Sequence, residues 1–425
     1  MSQETGRPTG AGTAPRAGIG EHTAAARRVL LLPSDPGTLA TGLRITAAAR
    51  AAELAGQPGL AAAYRDLAQA PVPVDAAGEE QDLALTAAVL AFTDRVTLAP
   101  DLAGADLLAG LAARGLDAPA VVALAQICAF VSYEARVAAG LALLAGGPAT
   151  TAEPAATSAV KGAPAAPAAP FTLDQLTWQP RITAVEADAL TPEQRAVVDA
   201  HTTLSTASPY YRTLLHDPAA LDHRTHVYNA VMYGRGGLPR AERELATLVV
   251  SRVNGCVYCA SVHGRKYAQL SRDEARALRV LRDGAAAFTA PEPDAGTGEP
   301  GTGEPGVGDS PLTDAPGSPV DGAPDGPIAD ARAAAVARFA EALTRTPPRA
   351  DARHLAALRA AGLDDAELTD LVHAAALFGW ANRLMLVLGD ARHPGTPLQD
   401  AGIPRTDARE SCSGTSVPAP RTGGA

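Results

Sequence analysis

The sequence predicts an all-α fold, and three observations carry the prediction. Hydrophobic residues make up 47% of the chain but aromatics only 4%, because much of the apolar content is alanine, the strongest helix former. Runs of β-branched residues, which favour strands, are scarce. Finally, one stretch occurs twice. Phe92–Arg136, FTDRVTLAPDLAGADLLAGLAARGLDAPAVVALAQICAFVSYEAR, aligns without a gap on Phe339–Arg383, FAEALTRTPPRADARHLAALRAAGLDDAELTDLVHAAALFGWANR, at a constant offset of 247. The pairs Phe92/Phe339, Thr97/Thr344, Pro100/Pro347, Leu111/Leu358, Leu124/Leu371 and Arg136/Arg383 coincide, as do Gly115-Leu116-Asp117 and Gly362-Leu363-Asp364. Shared alanine means little in this composition, but these matches read as two copies of one helical unit.

Each copy follows the same logic. A helix ends near the proline. A second closes at the glycine, which suits the position just past a helix C-terminus. The aspartate after it can cap a third helix, nearly all apolar and therefore central. Arg136 and Arg383 are expected near the end of that helix, where a cation complements the dipole.

Along the chain, residues 1–25 lack periodicity and an apolar core, so they are expected to be a disordered tail and no signal peptide. A helical domain is expected over 26–147. Its longest apolar run, Ala118–Tyr133 between Asp117 and Glu134, is shorter than the ~20 residues a spanning helix needs and reads as a buried helix. An Ala/Pro/Thr linker follows at 148–170. A second domain is expected over 171–394, broken at about 288–328 by a stretch with a GTGEP tandem and few apolar residues, which cannot offset its ordering entropy and is expected to be disordered. Residues 395–425, with Cys412, read as another loose tail.

The net charge of −10 and pI near 5.4 argue against a nucleic-acid surface, which needs a basic face. No membrane partner is expected, and the balance suits a cytoplasmic protein. The four cysteines, Cys128, Cys256, Cys259 and Cys412, are too few for a disulfide scaffold in a chain of 425 residues. In a reducing compartment a close pair points instead to catalysis or metal binding.

The chemistry-bearing stretch is NGCVYCASVHGRKY, Asn254–Tyr267. Upstream, Pro239 suits a helix start, and residues 240–253 are expected to be helical with Leu245, Leu248, Val249 and Val250 on the apolar side. Asn254-Gly255 breaks that helix, and a new one is expected from about Cys256 past Tyr267. At 100° per residue, Cys256, Cys259 and His263 fall within a stripe of about 60°. The two thiols can meet, with the imidazole one turn beyond Cys259. Free N–H groups in a first helical turn favour thiolate. These are the requirements of a redox dithiol: one sulfur partly ionised, a partner in reach, a base nearby.

Glu244, eleven residues, Cys256, two residues, Cys259, three residues, His263: this pattern resembles the alkylhydroperoxidase D/carboxymuconolactone decarboxylase family. The resemblance extends through SPYYRTLL (208–215), YNAVMYGRGGLPRAERELA (228–246) and the repeat ending in LFGWANRL, similar to the family's peroxidase-related branch. It implies two alkylhydroperoxidase D-like helical domains and a dithiol/disulfide cycle. By resemblance, Cys259 attacks a hydroperoxide, Cys256 resolves the sulfenic acid, and Glu244 and His263 relay protons. The implied partners are a hydroperoxide substrate and an external dithiol reductant, lipoyl- or thioredoxin-like. A homo-oligomer is also implied, and no cofactor. Tyr258 departs from the pattern, because the best-known members carry a histidine directly before the second cysteine. The first region resembles a carboxymuconolactone decarboxylase-like branch, but the counterpart of its active helix, residues 43–67, lacks cysteine and histidine, so that domain is expected to be silent in thiol chemistry.

Blander readings stand beside these. A zinc site at the thiols would need two further ligands, and only His223 and His226 could in principle contribute; no metal is expected. Glu244 could be a surface carboxylate like Glu242, and His263 a satisfied surface histidine. Tyr210, Tyr211, Met232 and Tyr233 are expected in the core rather than in a pocket, Trp380 and His373 in packing, and Cys128 as an inert buried thiol. Two other functions are open: a decarboxylase or lactone-handling enzyme that does not need the thiols, and a non-enzymatic redox adaptor or sensor.

Overall fold

The computed structural model describes residues 15–68, 76–147, 170–288 and 327–393. In chain order the elements are α1 (Ile19–Leu31), α2 (Thr41–Leu54), α3 (Pro58–Arg65), α4 (Ala76–Leu98), α5 (Ala105–Ala112), α6 (Ala118–Leu144), β1 (Thr177–Pro180), α7 (Pro192–Ala200), α8 (Pro209–Leu214), α9 (Pro218–Tyr233), α10 (Arg240–Val253), α11 (Val257–Ser271), α12 (Glu274–Asp283), α13 (Pro327–Thr344), α14 (Ala352–Ala360), α15 (Asp365–Leu388) and β2 (Gly389–Arg392). Among the described residues the fold is all-α apart from one small antiparallel sheet, in which Trp178 pairs with Ala391 and Pro180 with Gly389. The expected linker, all but the ends of the insertion, and the C-terminal tail with Cys412 lie outside the described residues.

The internal repeat becomes a repeated structure. In both copies the long helix stops just before the paired proline, α4 at Leu98 and α13 at Thr344. α5 and α14 then lead to Gly115 and Gly362, which take positive φ of 91° and 84°, where a side chain would be strained. Asp117 caps α6 by accepting from the Ala120 N–H, and Asp364 caps α15 in a reciprocal pair with Glu367. α6 and α15 make the most extensive helix–helix contact in the fold. Around them runs one hydrophobic core built from both regions.

The alignment continues upstream at an offset of 199. Thr41 and Leu54, the ends of α2, correspond to Arg240 and Val253, the ends of α10, and α3 starts at Pro58 where α11 starts at Val257. Arg44 and Arg243 coincide and do the same work. Each is buried and donates to carbonyls of the loop before its helix and of the end of the helix preceding that loop: Arg44 to Leu39, Leu30 and Pro36, Arg243 to Leu238, Val231, Met232, Gly234 and Gly236.

Three expectations are corrected. The ordered chain starts before residue 26: α1 begins at Ile19, whose side chain is buried with Leu30 and Leu31, and Arg16 Nε donates to Asp370 Oδ1 at 2.7 Å. The apolar run from Ala118 belongs to a helix of 27 residues, and α6 and α15 are both long and apolar enough to cross a membrane; their apolar windows are nevertheless 67% and 89% buried inside the chain. Finally, Arg136 and Arg383 do not serve helix ends. Both lie inside their helices, each 1% exposed, and reach across the pair. Arg136 donates to Thr344 O and to Thr346 Oγ1, while Arg383 donates to Val96 O at 3.0 Å and Thr97 O at 2.8 Å. Thr97 and Thr344 are themselves equivalent positions, so the contact is reciprocal, as across a two-fold axis.

Candidate active site

α10, α11, α9 and α15 converge on the thiols. Asn254 ends α10 and Gly255 turns the chain with φ 75°. A Cβ on Gly255 would lie 2.8 Å from Asp101 Cβ, so a side chain is excluded by both conformation and space. Cys256 then sits at the N-cap of α11 and Cys259 in its first turn. Cys256 is thus one residue outside the helix that was expected to begin with it. Both thiols are buried and reduced, 2% and 5% exposed.

One turn on, His263 Nδ1 is 2.6 Å from Glu244 Oε2. Glu244 is fully buried on α10, and its other oxygen accepts from Arg240 Nε at 2.6 Å. Burial alone would raise the Glu244 carboxyl; His263 and Arg240 outweigh it and hold the group below its ordinary value, ionised. Glu244 is therefore no surface carboxylate. Glu242, its bland comparator, pairs with Arg332 at 2.7 Å at the α13 contact. The ring of His263 is fixed from the other side by the edge of Phe378, centroids 4.4 Å apart.

The two cysteines have different surroundings. Cys259 and His263 line a cavity of about 40 Å³ together with Tyr210, Arg224, Tyr228 and Tyr258, among others. Cys256 does not line it. Burial pushes the Cys256 thiol well up, and its hydrogen bond with Cys259 and the neighbouring sulfur's charge push it further, against an opposing hydrogen bond with Asn382. The Cys256 thiol therefore holds its proton.

The sequence missed most of the cavity wall. Arg224 is 4% exposed, and its Nε has no hydrogen-bond partner among the described residues; its guanidinium lies 5.9 Å from the ring centres of Tyr210 and Tyr228. Burial pushes the Tyr210 phenol up to about 12, and its hydroxyl also lacks a partner among the described residues. Phe378, Ala381 and Met385 enter from α15. Of the residues assigned to the core, Tyr210 and Tyr211 are buried and also line the cavity, while Met232 and Tyr233 do not line it. Trp380 and His373 are core residues with cross-copy partners, Gln126 Oε1 at 2.8 Å and Tyr133 Oη at 3.0 Å. Cys128 is a buried thiol pushed up to about 12 by its surroundings, chiefly by burial.

In the first half the equivalents of Glu244, Cys256, Cys259 and His263 are Ile45, Gln57, Leu60 and Tyr64. The equivalent of the cavity residue Ala381 is Glu134, which accepts from Tyr64 Oη and pairs with Arg27. An ion-paired carboxylate fills the space that the second half leaves to its cavity.

Residues 218–293 match the model of the carboxymuconolactone decarboxylase family. The matched segment contains Arg224, Tyr228, Glu244, both cysteines and His263, so the resemblance read from the spacing holds there. No curated protein matches the chain. A solved structure titled an uncharacterized peroxidase-related protein, from Silicibacter sp. TM1040, is 21% identical, with 48% of this chain and 86% of that chain covered and a TM-score of 0.34; a superposition that loose carries no argument.

Proposed function

We propose that the chain is a thiol-dependent hydroperoxide reductase that cycles Cys256 and Cys259 between dithiol and disulfide. The observation that supports it most is the asymmetry of the pair: Cys259 shares a small cavity with His263, and Cys256 stands behind it within hydrogen-bond reach.

In the first step the Cys259 thiolate attacks the outer oxygen of the hydroperoxide. The O–O bond breaks, the alkoxide takes a proton from the relay and leaves as the alcohol, and Cys259 becomes a sulfenic acid. With Nδ1 held by Glu244, Nε2 of His263 is the nitrogen left to exchange that proton. The buried guanidinium of Arg224 offers a positive charge to the developing anion. In the second step Cys256 gives its proton to the relay and attacks the Cys259 sulfur; the S–S bond forms and water departs. An external dithiol, of lipoyl or thioredoxin type, then supplies two electrons and two protons. The net reaction converts hydroperoxide and dithiol to alcohol, water and disulfide.

The cavity admits water-sized species beside Cys259, and hydrogen peroxide and small organic hydroperoxides are the substrates to try first. The compartment is the cytoplasm, where reductants restore the dithiol, and the reciprocal contact of the two halves supplies within one chain a packing that separate subunits would otherwise provide.

The test is steady-state peroxide consumption with dihydrolipoamide as reductant. Turnover in wild type that disappears in the Cys256→Ser/Cys259→Ser double variant is expected. An activity on a lactone or β-keto acid that survives the double variant, with no peroxide turnover, would reassign the chain to decarboxylase-like chemistry.

A further inference from the structure

The chain has nine histidines, and four of them meet in one place away from the thiols. His201 follows the end of α7, His223 and His226 lie on α9, and His22 comes from α1. Asp222, beside His223 on α9, is at their centre. His201 Nε2 is 2.7 Å from Asp222 Oδ1, His226 Nε2 is 3.7 Å from the same oxygen, and His223 Nδ1 is 3.5 Å from Oδ2.

We propose that this cluster is a divalent-metal site of zinc type, with His201, Asp222 and His226 as its protein ligands. Their ligand atoms all lie within 4.8 Å of one another. A tetrahedral zinc with nitrogen and oxygen ligands at about 2.0–2.1 Å holds them roughly 3.3 Å apart. The spacings of 2.7 and 3.7 Å straddle that value, so small side-chain rotations suffice. Asp222 and His226 are four apart and share one face of α9, and His201, 4% exposed, is presented from a second element. Imidazole and carboxylate together are a donor set suited to zinc.

His22 stacks on His226 with centroids 3.9 Å apart and its Nδ1 lies 3.2 Å from that of His223. That pair forms an outer row beside the ligands, and water completes the coordination. None of the three ligands lines the thiol cavity. All three ligands belong to the second half, two of them on the helix that also carries Arg224 and Tyr228, and His22 of the first half packs against the site through His226. The sequence had weighed His223 and His226 only as auxiliaries to the thiols; folding gathers them with His22 and His201 instead.

The test is zinc titration of the EDTA-stripped full chain by isothermal calorimetry, with thermal melting in parallel. One Zn²⁺ per chain is expected, with a melting temperature raised by several degrees in excess zinc. His226→Ala, at a side chain that is 44% exposed, is expected to weaken binding at least about 10-fold, and Asp222→Asn likewise, each with an unchanged far-UV circular dichroism spectrum. The Cys256→Ser/Cys259→Ser variant is expected to bind as wild type does. No binding by wild type, binding undiminished in His226→Ala and Asp222→Asn, or binding lost only in the cysteine variant would each overturn the proposal.

Discussion

His263 and Tyr64 hold equivalent places in the two halves, but His263 faces Glu244 on α10 and Tyr64 faces Glu134 on α6. α2 and α10 match end for end, α3 and α11 start at the same place, and the arginines that tie down the preceding segments, Arg44 and Arg243, are the same residue type at the same position. What differs is the side chains pointing between the helices. In the first half Leu60 stands where Cys259 stands in the second, and a carboxylate paired with Arg27 occupies the position of Ala381. The comparison separates frame from chemistry. A helical scaffold needs glycine turns, caps and buried arginines, and both halves keep them. Thiol chemistry needs two sulfurs, a relay and an open space, and only the second half has all three.

The largest effect expected is at Cys259. Cys259→Ser should reduce peroxide turnover to background, while Cys128→Ser, which alters the only other described thiol, should leave the rate unchanged in a coupled peroxide assay. Next is the relay. Glu244→Gln should lower turnover by about 10²-fold or more, the usual worth of a positioned acid–base group, and Tyr64→Phe should not change it. A rate that falls equally in both would mean the halves are not functionally distinct.

The repeat and the constellation were legible in the sequence for the same reason: both are local. Gly115 and Gly362, Asp117 and Asp364 mark turns and caps that each copy specifies for itself, and Glu244 to His263 fit on two consecutive helices. The cavity wall was not legible. Arg224 and Tyr228 come from α9 and Phe378 and Ala381 from α15, and only packing brings them to Cys259. Arg136 and Arg383 were assigned to helix dipoles because a single copy offers no other partner; their acceptors lie in the opposite copy. The start of α1 was missed because Gly18 and Ile19 sit in a Gly/Thr/Pro-rich context, and its anchor, Asp370, is at the far end of the chain.

The reciprocal arginines sharpen the comparison on the side of stability. Arg136→Met and Arg383→Met each remove several charge-assisted bonds to buried carbonyls and should each cost about 3 kcal/mol in urea unfolding. Similar costs are expected if the two-fold relation holds, and very unequal ones would break it.

His373 gives the pH dependence. Burial lowers its pKa from the ordinary 6.5 to about 4, with Asp370 opposing, at the contact with Tyr133 of the other half. The unfolded chain binds the proton more readily, so the contribution is complete above about pH 6.5 and is lost as pH falls toward 4. The difference is worth up to about 3 kcal/mol, and His373→Gln should flatten that part of the stability–pH curve. The smallest effect expected is for Glu134→Ala, about 1–2 kcal/mol from an unpaired Tyr64 hydroxyl, with no gain of peroxide turnover because no sulfur is present there.

The most direct measurement is sulfenic-acid trapping with dimedone after one equivalent of hydrogen peroxide, read by peptide mass spectrometry in Cys256→Ser and Cys259→Ser separately. The account predicts an adduct on Cys259 in Cys256→Ser, none on Cys256 in Cys259→Ser, and a Cys256–Cys259 disulfide in wild type. An adduct on Cys256, or thiols that react no faster than free cysteine in all three proteins, would contradict it.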